Sequence, residues 1–178
     1  MRTLIPKGRE KIFEFILNNP EKELRIRELA RELKLSPAYV SRTLKWAKKQ
    51  GIVKKNKANL SNSLARAIKI FLNIKKITER KTVQKLKKLG INGTGIYGSW
   101  ANGTNTEDSD LDIWIKTGKK LSEAKIATVA GEMRKALGTN TQILVLDRER
   151  MEKIKQEDPV FYYSLLFGSI ILFGEPIE

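Results

Sequence analysis

Residues Asp110-Leu111-Asp112-Ile113-Trp114-Ile115 alternate polar with apolar, the pattern of an extended strand with one face against a core. Side chains at i and i+2 share a face, so Asp110 and Asp112 point one way while Leu111, Ile113 and Ile115 point into the core. Ile91 to Tyr97 reads as a preceding strand, Gly98-Ser99 as a turn, and the stretch up to Asp110 as a polar loop rich in Gly, Asn and Thr. Two carboxylates held together repel unless a cation sits between them. Oxygen ligands of this kind suit Mg²⁺ bridging phosphate oxygens, which points to a nucleoside triphosphate. Gly98 would let the backbone approach closely, Ser99 would offer a hydroxyl and an amide to a phosphate, and Gly103 would keep the loop open. A DxD or a Gly-Ser pair alone also arises in surface turns; their joint spacing carries the information.

The chain of 178 residues contains neither cysteine nor histidine. That removes disulfides, thiol nucleophiles, zinc fingers and imidazole bases, and leaves a hard ion held by oxygen as the metal to expect. No apolar run approaches the roughly 20 residues of a membrane helix, and the first residues carry charges within their apolar stretch. A soluble, cytoplasmic protein without a membrane partner is expected. The abundance of Lys, Glu and Ile is compatible with a thermophilic source.

Charge divides the sequence. Residues 1–90 hold 25 Lys+Arg against 7 Asp+Glu, whereas residues 91–178 hold 10 against 13. A basic half joined to a slightly acidic one suggests that the basic half meets a polyanion, with double-stranded DNA first in line; the bland alternative is solvated lysine-rich helices.

Within that half, Ile12, Phe13, Ile16 and Leu17 recur at helical spacing and stop at Asn18-Asn19-Pro20. Ile26, Leu29, Ala30 and Leu33 mark a second short helix, and Ser36-Pro37 is an N-cap with proline at the first helical position of a third. So tight a joint is the geometry of a helix-turn-helix. Val40, Leu44 and Ala47 lie on one side of the third helix; Ala38, Arg42, Lys45 and Lys49 lie on the other. Gly51 ends it, and Ile52 to Leu60 reads as a strand, a basic turn and a return strand, a wing.

The segment LRIRELARELKLSPAYVSRTLKWAKKQGIVKK resembles winged-helix regulators of bacteria and archaea over roughly residues 8–62. The resemblance implies that Ser36, Pro37, Ala38, Tyr39, Arg42, Lys45 and Lys49 approach a major groove, with Lys54, Lys55 and Lys57 on phosphates. Winged-helix proteins often dimerise, so a homodimer is an open expectation, and a pure docking module is the alternative use. Farther on, Leu64, Ala67, Ile68, Phe71 and Leu72, then Val83, Leu86 and Leu89 after a break near Thr78, predict one or two bridging helices. Arg66, Lys69, Lys75 and Lys76 are assigned to their outer faces.

Gly98-Ser99, ten residues, then Asp110-Leu111-Asp112 matches the GS-x10-DxD signature, and residues 91–178 resemble the minimal nucleotidyltransferases of the polymerase-β superfamily. The expected fold is α+β: a winged helix-turn-helix domain at 1–62, a helical connector at 63–90, and a nucleotidyltransferase-like domain at 91–178 with a small mixed sheet and packed helices. A helix from Ser122 to Leu137, a strand from Thr141 to Leu146, two short helices and a last strand at Ile170 to Gly174 fit that order. The resemblance implies two Mg²⁺ ions on Asp110 and Asp112, with ATP or another NTP seated on Gly98, Ser99 and Gly103. A nucleotide, AMP by preference, would pass to a protein or nucleic-acid hydroxyl. A toxin subunit is one conceivable acceptor, which would make the chain antitoxin-like.

Two departures stand out. The third carboxylate usual in the family is replaced by Gln142, whose amide cannot take a proton at neutral pH. Glu107 and Asp108 are expected as better stand-ins than Asp147. Arginines usual after the Gly-Ser pair are replaced by Trp100 and Asn102, and Lys116 or Lys119 is expected to compensate. The alternative function is a winged-helix transcriptional regulator whose nucleotidyltransferase fold serves as a nucleotide sensor or dimer interface.

Overall fold

Ser36 and Pro37 set the local geometry of the first unit. In the computed structural model, which describes residues 5–178, the Ser36 side chain accepts the Tyr39 N–H at 3.2 Å and Pro37 opens the next helix. Helices α1 (Lys7–Asn18), α2 (Ile26–Leu33) and α3 (Pro37–Lys49) pack Ile12, Phe13, Ile16, Leu17, Leu29, Ala30, Val40, Leu44 and Ala47 into one core. Left-handed Lys34 ends α2, and the Leu35 N–H returns to the Ala30 carbonyl at 2.9 Å, so α3 can begin at once. Ile26, expected on the apolar face, is 39% exposed at the first position of α2, and on α3 Thr43 is buried along with Val40, Leu44 and Ala47. Strands β1 (Val53–Lys54) and β2 (Lys57–Ala58) pair antiparallel across Lys55 and Asn56, both at positive φ. Two such residues make the hairpin turn whose twist matches its strands, so the wing is present in short form.

The next helix, α4 (Ser63–Glu79), corrects the expected outer face. Leu64 is 41% exposed and Ala67 is also exposed, whereas Ala65, Lys69 and Leu72 are buried. Lys69 Nζ donates to the Leu17 carbonyl at 3.0 Å and to Asn18 Oδ1, satisfying acceptors at the end of α1. The lysine stem packs as a hydrocarbon while its head replaces water, a use that charge alone does not announce. Lys69→Met, which keeps the stem, is expected to cost about 1–3 kcal/mol by leaving a buried acceptor unpaired. Urea unfolding measures it, with exposed Arg66→Met expected within about 0.5 kcal/mol of wild type.

The break expected near Thr78 falls at left-handed Lys81, before α5 (Thr82–Lys87). Two compact units result, Met1–Leu72 and Asn73–Glu178. Residues 63–90, expected as a connector, are therefore shared between them: the start of α4 goes with the first unit, its end and α5 with the second.

The second unit is built on a four-stranded sheet in the order β5-β4-β3-β6, with β3 at Gly93–Tyr97, β4 at Leu111–Lys116, β5 at Thr141–Leu146 and β6 at Ile170–Gly174. Strands β4 and β5 run parallel and the other pairs antiparallel. A parallel neighbour needs a crossover, which α7 (Glu123–Leu137) supplies. Leu111, Ile113 and Ile115 are fully buried on one face of the sheet with Ile96, Leu86, Met133 and Leu137. Trp114, on the other face, is also fully buried, because Leu146, Leu165 and Ile177 cover it. Helices α8 (Arg148–Glu157) and α9 (Pro159–Gly168) lie between β5 and β6 in the chain. Asp112, on the Trp114 face, stays only half-buried. Two boundaries differ from expectation: Asp110 immediately precedes β4, and the supposed loop after β3 begins as a short helix, α6 (Gly98–Asn102). No helix among the described residues is long and apolar enough to cross a membrane.

Candidate functional site

Strand register brings the acidic pair to the serine turn. Tyr97, the last residue of β3, pairs with Asp112 on β4, so Gly98 and Ser99 emerge beside that carboxylate. Gly98 adopts φ +65°, and a Cβ there would lie 2.6 Å from Asp112 Oδ2. Only glycine leaves room for the acid against the turn. The Ser99 carbonyl accepts the Thr104 and Asn105 N–H groups at 3.0 and 3.3 Å, which folds the segment back on itself. Gly103 takes the left-handed conformation that ends α6, so its place is at the helix terminus rather than in an open loop.

Across the parallel pair, Asp112 faces Gln142 in register, and Gln142 Nε2 donates to Asp110 Oδ2 at 2.9 Å. Asp110, Asp112, Gln142 and the Gly98–Ser99 turn thus meet at one end of the sheet. Burial first, and the neighbouring Asp110 charge second, push the Asp112 carboxyl above its ordinary range. Tyr97 is raised likewise, by burial and then by Asp112. A site that strains against its own negative charge fits a cation, so Asp110 and Asp112 are suited to hold a divalent ion. Gly98→Ala is expected to displace the Asp112 carboxylate and to cost about 1–3 kcal/mol of stability, because a Cβ would lie 2.6 Å from Asp112 Oδ2 and the backbone sits at φ +65°. Urea unfolding checks it.

Residues 73–173, more than half of the chain, match the family described as Polymerase beta, Nucleotidyltransferase. The chain belongs to that family. Residues 7–55 match a second family, described as bacterial regulatory protein, arsR family. A putative protein adenylyltransferase of Methanocaldococcus jannaschii is 32% identical over 73 residues, covering 41% of this chain and 77% of that protein. Among solved structures, a toxin–antitoxin MntA–HpeT mutant aligns at 17% identity and a TM-score of 0.44, over 55% of this chain and 73% of that one. A tri-AMPylated Shewanella oneidensis HEPN toxin in complex with MNT antitoxin aligns at 17% identity and 0.40, over 60% and 73%.

Within the nucleotidyltransferase domain, the expected substitutes for missing groups do not assemble. Among the described residues no group of three Asp or Glu side chains is placed to hold a metal, so neither Glu107 nor Asp108 joins the pair. Both lie exposed in a turn. Asp147 caps α8 by accepting the Arg150 N–H at 2.7 Å. Lys116 stands at the far end of β4, four residues and about 13 Å along the strand from Asp112, where it pairs with Glu175 at 3.4 Å and the Pro176 carbonyl at 3.0 Å. Lys119 lines the cavity at that same end with Lys116, Lys120 and Arg148. Neither lysine compensates for the missing arginines.

In the helix-turn-helix unit, Ala38, Arg42, Lys45 and Lys49 form an exposed stripe on α3, and Pro37 is exposed at its start. The Ser36 hydroxyl is engaged as the cap, and the Tyr39 ring is half-buried against Gly8. Lys54 and Lys55 are exposed in the wing, while Lys57 pairs with Glu21 at 3.0 Å. Arg25, Arg27 and Lys48, which no pattern in the sequence singles out, line a cavity of about 630 Å³ with Lys45 beside α3. Tyr97 is placed beside Asp112 by strand register alone.

Proposed function

We propose that this chain is a DNA-binding nucleotidyltransferase that places ATP and Mg²⁺ on Asp110, Asp112 and the Gly98–Ser99 turn and transfers AMP to a protein hydroxyl. The meeting of Gly98 with the Asp112 carboxylate, beside Asp110, carries the reading. The name of the archaeal relative supports a protein acceptor. Asp110 and Asp112 would hold the ion, and the Ser99 hydroxyl and turn amides would donate to phosphate oxygens. The ion, when bound, would neutralise charge on the phosphates during transfer. The acceptor oxygen bonds to the α-phosphorus, the bond to the β-phosphate oxygen breaks, and pyrophosphate leaves. Gln142 orients Asp110 through its amide but cannot accept the acceptor's proton, which leaves to solvent.

Incubation with ATP labelled at the α-phosphate, Mg²⁺ and cell extract tests this reading. A labelled protein band, lost in Asp110→Asn, is expected. Label on nucleic acid alone would overturn the acceptor class, and a labelled toxin subunit would make the chain antitoxin-like. The amide of Gln142, which stands opposite Asp112 without a carboxylate's ability to take a proton, favours a second reading, a nucleotide-sensing regulator. Mg²⁺-dependent ATP binding without any label transfer would select it.

The exposed stripe on α3 supports duplex DNA as the partner of the first unit. Arg42→Ala with Lys45→Ala is expected to lower duplex affinity about 10- to 100-fold and to flatten its salt dependence by nearly one unit of slope for each phosphate no longer neutralised. Fluorescence anisotropy across a salt series measures both; unchanged affinity would remove α3 from the interface.

A further inference from the structure

Between the serine turn and Asp110 the chain has no strand, yet it must hold both ends of the site in register. Two deeply buried amides stand behind it: Asn105 is 2% exposed and Asn73, on α4, is 5% exposed. Asn73 Nδ2 donates to the Trp100 carbonyl at 2.9 Å and to Asn105 Oδ1 at 2.8 Å, and Asn105 Nδ2 returns to Asn73 Oδ1 at 3.4 Å. The Asn105 N–H in turn donates to the Ser99 carbonyl at 3.3 Å. Farther on, the Thr106 N–H donates to Ser109 Oγ at 2.8 Å, and Ser109 directly precedes Asp110. Burying two primary amides costs stability relative to an apolar pair unless their hydrogen bonds are made; here two of the bonds join the amides to each other and the third ties Asn73 to the backbone beside Ser99, at Trp100.

We propose that Asn73 and Asn105 are positioning residues for the nucleotide site: a reciprocal amide clasp that fixes the turn from Ser99 to Asn105 and so sets Ser99 against Asp112. The proposal rests on the nucleotide-binding reading above. Neither amide touches substrate; each acts through the backbone it holds. A role in packing alone would be met by an apolar side chain of similar size, whereas the clasp needs the donors.

The test is Asn73→Leu, read twice. Amide hydrogen exchange, measured without ligand, is expected to quicken at Thr104 and Asn105 by about 10- to 100-fold, the range that leaving a buried carbonyl unpaired produces. Exchange at Ile113 and Ile143 in the sheet should keep its wild-type rate. In parallel, the Kd for ATP with Mg²⁺, measured well below the melting temperature, should rise about 10-fold or more, because binding must then order a turn that the clasp holds ready. Unchanged exchange at Thr104 and Asn105 would overturn the clasp, and faster exchange with unchanged Kd would overturn its positioning role. If Asn73→Leu does not fold, Asn105→Ala, which deletes the reciprocal partner, carries the same two readouts. Failure of the wild-type chain to bind ATP would instead overturn the nucleotide reading, and the exchange rates keep the two failures apart.

Discussion

Asp112→Asn is expected to reduce AMP transfer by about 100- to 1,000-fold or more, the loss that follows when one preorganised charge is removed from a transfer site. The same variant should stabilise the metal-free protein at neutral pH. In the folded chain the Asp112 carboxyl titrates above its ordinary range, through burial and the Asp110 charge, so the folded state binds its proton more tightly than the unfolded chain does. Where the folded state binds more protons, stability falls as pH rises. Metal-free wild type should therefore lose stability as pH climbs from the ordinary carboxylate range through the raised Asp112 value, and Asp112→Asn should lack that loss. Added Mg²⁺ should restore wild type and leave Asp112→Asn unchanged. Melting curves across pH, with and without Mg²⁺, measure all three effects; a wild-type curve that rises through that window would contradict them.

Gln142→Glu is expected to raise the transfer rate about 100-fold or more, since a positioned general base contributes about 10²–10⁴-fold. Gln142 lies opposite Asp112 in the ladder, so a carboxylate of nearly the same shape enters the site without moving the strand, although the 2.9 Å bond from Gln142 Nε2 to Asp110 is lost. It would add a proton acceptor and a third oxygen ligand. It would also put a third negative charge beside a pair that already repels, so metal-free stability should fall and Mg²⁺ dependence should steepen. Initial rates against Mg²⁺ concentration check both. A rate equal to wild type would mean that proton removal does not limit transfer.

Much of the site was legible because strand alternation is a strict code. Leu111, Ile113 and Ile115 fall in the core, and Asp112 falls on the opposite face, as a period of two requires. The helix-turn-helix was legible through its cap: Ser36 and Pro37 fix where α3 begins, and that fixes which residues face outward. What escaped depended on partners distant in sequence. Lys69 looks solvated until the end of α1, 52 residues away, offers it acceptors. The short α6 begins with a glycine at positive φ and is held by Asn73, 27 residues upstream of Trp100, so its local composition reads as loop. Trp114 breaks the one-sided burial expected for β4 because α9 brings Leu165 to the second face of the sheet. Lys116 misled for a simpler reason: it shares a sheet face with Asp112, but at the other end of the strand.

Titration calorimetry with a non-hydrolysable ATP analogue, with and without Mg²⁺, tests the central claim most directly when wild type is compared with Asp110→Asn and Asp112→Asn. The account predicts one-to-one binding that requires Mg²⁺ and disappears in both variants while their circular dichroism stays that of wild type. Binding of equal strength without Mg²⁺, or undiminished in both variants, would contradict it.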